Sequence, residues 1–74
     1  MMKRNLMTQT TYIVRLAHPG KPASEDMYRT RAGWRRAPVL GRGFATRRYA
    51  ETIAEQTRLY HRDSVITVEE HKVT

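Results

Sequence analysis

The sequence predicts an α+β domain: a small three-stranded sheet, antiparallel or mixed, in the order β-β-α-β, with one amphipathic helix packed on one face. Three observations predict it. Residues 10–17 (TTYIVRLA) alternate as a half-buried strand requires, residues 46–60 repeat small and apolar side chains at helical spacing, and residues 64–74 (SVITVEEHKVT) return to a period of two. At 74 residues the chain can hold one small core, with residues 9–74 expected as a single compact domain and residues 1–8 as a flexible N-terminal tail.

In the first strand Tyr12, Val14 and Leu16 share one side, and Ile13 and Arg15 the other. HPGKPASED then carries two prolines and a glycine, which predicts a surface loop and a loose hairpin. Residues 27–31 resume as a second strand. Ala32 and Gly33 can turn or bulge it before Trp34, and WRRA either extends that strand or begins another. Pro38 ends regular pairing, and the glycines of VLGRG suit a flexible connector.

The helix is the clearest element. At 100° per residue, Thr46, Tyr49, Ala50, Ile53, Ala54, Thr57 and Tyr60 fall within an arc of roughly 140°, and Arg47, Glu51, Glu55 and Arg58 fall outside it. Thr46 suits the N-cap, while Arg47 with Glu51 and Glu55 with Arg58 are spaced as surface ion pairs. Leu59 points off the stripe, exposed or covered by a loop. His61-Arg62-Asp63 should turn the chain into the last strand, which lies beside the first and antiparallel to it.

Composition narrows function. The chain lacks cysteine, which removes disulfides and the common cysteine-rich zinc sites. It has no apolar run of about 18 residues, so a soluble, cytoplasmic protein without membrane contact is expected. Fourteen Lys and Arg face seven Asp and Glu, for a net charge of +7. Residues 27–48 (MYRTRAGWRRAPVLGRGFATRR) hold seven of the arginines and no acid, and the rest of the chain is neutral. All the net charge therefore comes from one segment.

That segment supplies the candidate binding residues: Arg29, Arg31, Trp34, Arg35, Arg36, Arg42, Arg47 and Arg48. Arginines interleaved with aromatics suit phosphates and stacked bases, and equally the hot spots of protein interfaces. Arg47 and Arg48 sit in the first helical turn, where the macrodipole disfavours cations by about 0.3–1 kcal/mol each. With the nearby glycines and free N–H groups they could receive a phosphate or a carboxylate; the alternative is that both are simply solvated.

Catalysis is not expected, because a single-helix domain has little room for a pocket. His61-Arg62-Asp63 imitates a protein-kinase triplet without the rest of that domain. His61, Asp63, Glu70 and His71 match no metal-ligand spacing, and Gly41-Arg42-Gly43 lacks the rest of a phosphate-binding loop. No catalytic residue, metal or cofactor is assigned.

Trp34, Phe44-Ala45-Thr46, the helical Ala50 and Ala54, and the terminal VITVEE together resemble small bacteriophage-encoded accessory proteins. The resemblance implies a protein that occupies a host surface, as anti-CRISPR, anti-defence and host-takeover proteins do. It departs from the acidic DNA mimics of such groups, so its partner should be a host protein or nucleoprotein complex with an acidic or phosphate-bearing surface. The leading expectation is a non-enzymatic inhibitor or modulator. The alternative is a small RNA- or DNA-binding module that contacts phosphates through arginine and stacks on Trp34. Open sheet edges and a bare sheet face also allow a homodimer.

Overall fold

The computed structural model describes residues 9–38 and 42–73. The expected tail and part of the glycine connector lie outside them. Among the described residues the elements are β1 (Gln9–Ala17), β2 (Met27–Thr30), β3 (Gly33–Arg35), α1 (Arg47–Tyr60) and β4 (Val65–Val73), with a 3-10 turn at Ala23–Glu25 in the loop after β1. The α+β class holds, but the sheet has four strands, all antiparallel to their neighbours, in the order β3-β2-β1-β4. WRRA begins a strand of its own rather than extending β2.

A four-residue turn makes the extra strand. Thr30 Oγ1 accepts from the Ala32 N–H at 3.0 Å and donates to the Gly33 carbonyl at 3.2 Å, closing the chain on itself. Gly33 then takes φ +99°, a region that side chains disfavour and glycine enters freely. The chain reverses there and lays Trp34 opposite Arg29.

β1 is the central strand. It pairs with β4 without interruption from Gln9↔Val73 to Ala17↔Val65, but with β2 only through Val14, Arg15 and Leu16. Ahead of β2's reach, Phe44 takes over: its N–H donates to the Tyr12 carbonyl at 2.7 Å and its carbonyl accepts from the Tyr12 N–H at 2.9 Å. The residue before it, Gly43, lies against β1 so closely that a Cβ there would stand 2.6 Å from Thr11 Cβ. It is a packing glycine, not a flexible connector.

These registers gather most apolar side chains on one side, while Ile13 is buried on the other. Val14, Leu16 and Ile66 from the sheet, Phe44 from the bridge and Ala50 and Ala54 from α1 form the buried core, with Tyr12, Met27, Trp34, Ile53 and Val68 around it. Each large side chain of the buried core contributes about 1.5–3 kcal/mol through burial, and the partly buried ones less. Thr46 caps the helix as its sequence predicts, its Oγ1 accepting from the Tyr49 N–H at 3.2 Å.

The helix rests on β1 and β4, and this corrects two expectations. Tyr49 and Tyr60, on the predicted stripe, are 55% and 83% exposed: Tyr49 sets its ring edge-to-face with that of Phe44 at the helix start, and the flank carrying Ile53 and Tyr60 overhangs the short β2–β3 hairpin. Arg58 does not pair with Glu55; its guanidinium donates to the Ile66 carbonyl of β4 at 2.9 Å, tying the helix end to the sheet. Leu59 is exposed.

Candidate binding groove

The overhang creates a groove. Cross-strand neighbours share a face in an antiparallel pair, so the Arg29↔Trp34 pairing turns both side chains toward the helix. The flank of α1 supplies the half-buried Ile53, the buried Thr57 and the exposed Gln56 and Tyr60, and His61 closes the end. The result is an open cleft of about 380 Å³. A second hollow of about 300 Å³ adjoins it, lined by Leu16, His18, Met27, Trp34 and His61. Trp34 and His61 thus form the shared wall of two hollows with different chemistry.

The polar hollow carries the charge. Arg29 has no carboxylate partner among the described residues. Arg35 curls round the hairpin edge to donate to the Trp34 carbonyl at 2.9 Å, and it also lacks an acidic partner there. Its Nη1 lies 3.7 Å, and that of Arg29 4.0 Å, from the point where a Gly33 Cβ would stand, so the bare glycine leaves room for both guanidinium groups. Two cations without acidic partners in this region raise the local potential for an anion.

The other arginines of the basic segment divide by position. Arg31 and Arg42 are brought together by a backbone hydrogen bond, Arg31 N–H to the Arg42 carbonyl at 2.8 Å, and both are exposed. Arg36 is exposed in the bend after β3. At the helix start the two candidates part company. Arg47 is 3.3 Å from Glu70 Oε1 and 3.7 Å from Glu51 Oε2, with its guanidinium 5.3 Å from the Tyr12 ring centre. Arg48 is exposed and pairs with no acid among the described residues. Arg47 therefore anchors the helix to the sheet, leaving Arg48 alone to meet an outside anion.

Sequence reasoning missed Tyr60, Gln56 and His61 as groove residues. Their signal was present only as the end of the helical stripe, and nothing in local spacing indicated that this end would overhang a hairpin.

A second polar cluster lies on the opposite sheet face. Arg15 donates through Nε to Asp26 Oδ2 at 2.8 Å and through Nη1 to Glu69 Oε2 at 3.0 Å, and Glu69 Oε1 sits 3.0 Å from His71 Nε2. The hydrogen bonds to Asp26 and then Glu69 raise the Arg15 guanidinium pKa above its ordinary value. Asp26 is buried, so the cluster fastens the long β1–β2 loop to the sheet. Among the described residues no three His, Asp or Glu side chains gather as a metal site, and no helix is long and apolar enough to cross a membrane. Comparison with protein-family models, curated proteins and solved structures finds no match to this chain.

Proposed function

We propose that the chain is a small, non-enzymatic, phage-encoded binding protein that engages a cytoplasmic host protein or nucleoprotein complex and inhibits or modulates it. The observation that carries this reading is the convergence of Trp34, Tyr60 and Arg29 on one open groove. Trp, Tyr and Arg are the side chains that most often dominate binding energy at interfaces. Arg29 in the groove and Arg35 at the hairpin edge, neither paired with an acid among the described residues, give the surface a positive field, which speeds encounter with an anionic partner and selects against cationic ones.

A second reading rests on the same groove. Two rings and a guanidinium in an open cleft also suit single-stranded nucleic acid, with bases stacked and phosphates on arginine. A salt titration separates the two. Nucleic acid as direct ligand predicts affinity for a mixed-sequence oligonucleotide that falls linearly in log–log form as salt rises, because phosphate contacts release counterions. A protein partner predicts little oligonucleotide binding and a tagged chain that retains a defined host protein through salt. Failure of both would end the binding reading.

A further inference from the structure

The two hollows differ in a way that specifies what they can hold, provided the binding reading above is right. The first offers the Arg29 guanidinium and the groove wall of Gln56 and Tyr60. The second has a floor of Leu16 and Met27. Trp34 and His61 stand between them, so a ligand lying across Trp34 meets a cationic hollow on one side and an apolar one on the other.

We infer that the partner presents an extended peptide segment carrying an acidic side chain and a large apolar side chain two residues apart. Its carboxylate is seated at Arg29 and its apolar group is held in the Leu16–Met27 hollow. Alternate side chains of an extended chain point the same way and lie roughly 7 Å apart, the spacing at which β2 itself sets Met27 and Arg29, one in each hollow. Arginine forks match carboxylates bidentately, and the methionine lets the apolar hollow adapt to aliphatic or aromatic occupants. A nucleobase fits the second hollow less well. Its several hydrogen-bonding edges would meet only the ring nitrogens of His18 and His61 there, and those set against Leu16 and Met27 lose the water they had.

The test is a selection of random dodecapeptides displayed against the intact chain, followed by solution titration of enriched peptides with Trp34 emission as readout. Trp34 is the only tryptophan, so its signal reports the shared wall itself. The expected result is enrichment of Asp or Glu two positions from Leu, Ile, Met or Phe. Arg29→Gln and replacement of the peptide acid by its amide should each weaken binding about tenfold, and the two together little more than either alone. Circular dichroism of Arg29→Gln verifies the fold, and Met27→Gln tests the apolar hollow independently.

Acidic peptides that ignore Arg29→Gln, leave Trp34 emission unchanged and instead lose affinity in Arg31→Gln/Arg42→Gln would overturn the groove assignment while leaving a protein-binding function standing. If no peptide is enriched and a dodecathymidylate binds with steep salt dependence, the peptide inference fails together with the protein-partner reading. Absence of both kinds of binding also overturns it.

Discussion

Replacing Gly43 with alanine tests how the basic segment is fixed to the sheet. The added Cβ would stand 2.6 Å from both Thr11 Cβ and Thr11 Oγ1 and 3.2 Å from Ile13 Cγ1. Carbon atoms in contact prefer about 3.5–4.0 Å, so something must move by roughly 1 Å. Ile13 is fully buried and Thr11 lies on the central strand, so the strand cannot give way easily. The cost falls on the 42–44 segment, whose Phe44 makes two short backbone bonds to Tyr12. Overpacking of this kind costs about 1–3 kcal/mol, and stretching those bonds adds about 1 kcal/mol. The stiffer unfolded chain returns about 0.4–1 kcal/mol, leaving a net loss of roughly 1–3.5 kcal/mol. In a domain this small that lowers the melting temperature by roughly 5–30 °C. Urea unfolding followed by circular dichroism and by Trp34 emission measures it. Thr11→Gly removes the opposing atoms, so alanine at position 43 should cost less than about half as much in that background. A loss under about 0.5 kcal/mol in the Thr11 protein would refute the packed bridge.

Four further outcomes follow from the same geometry. Arg47→Glu should destabilise by up to about 1 kcal/mol, because it sets a carboxylate against Glu51 and Glu70; Arg48→Glu should be neutral or stabilising by about 0.3–1 kcal/mol through the helix dipole. The contrast is read by thermal melts at low salt, and equal effects would contradict the division of roles. Thr46→Ala should cost about 1 kcal/mol of stability in urea through loss of the N-cap. Arg15→Met leaves the buried Asp26 without its charged donor and should cost about 1.5–3 kcal/mol, toward the lower end because Arg15 is 34% exposed. Since the Arg15 pKa is raised in the fold, its contribution is complete below the ordinary guanidinium range and is lost only as pH rises through the raised value. The difference between wild type and Arg15→Met should therefore stay flat across roughly pH 6–10, which paired melts would check.

Local signals made part of this structure legible. The first and last strands and the helix carry their own periodicities, Thr46 is an N-cap by residue type, and the pairing of the last strand with the first follows from crossover geometry. β3 was not separable from β2, because three residues are too few to show a period and the deciding event is one positive φ at Gly33. The groove was half legible. Trp34 and Arg29 stood out by type, but their pairing depends on the hairpin register, and Tyr60 joins them only because the helix sits over β1 and β4. Arg47 illustrates the converse. Its position in the first helical turn looked unfavourable locally, yet Glu70, twenty-three residues on, supplies the compensating charge from β4.

The central claim is that partners meet this chain at the wall formed by Trp34. Acrylamide quenching of Trp34 emission, free and saturated with a bound host partner or selected peptide, tests it most directly. The half-buried ring should be readily quenched in the free chain and strongly protected in the complex, with Arg29→Gln lowering affinity about tenfold. Unchanged quenching in a saturated complex, with affinity indifferent to Arg29→Gln, would place the interface elsewhere on the molecule.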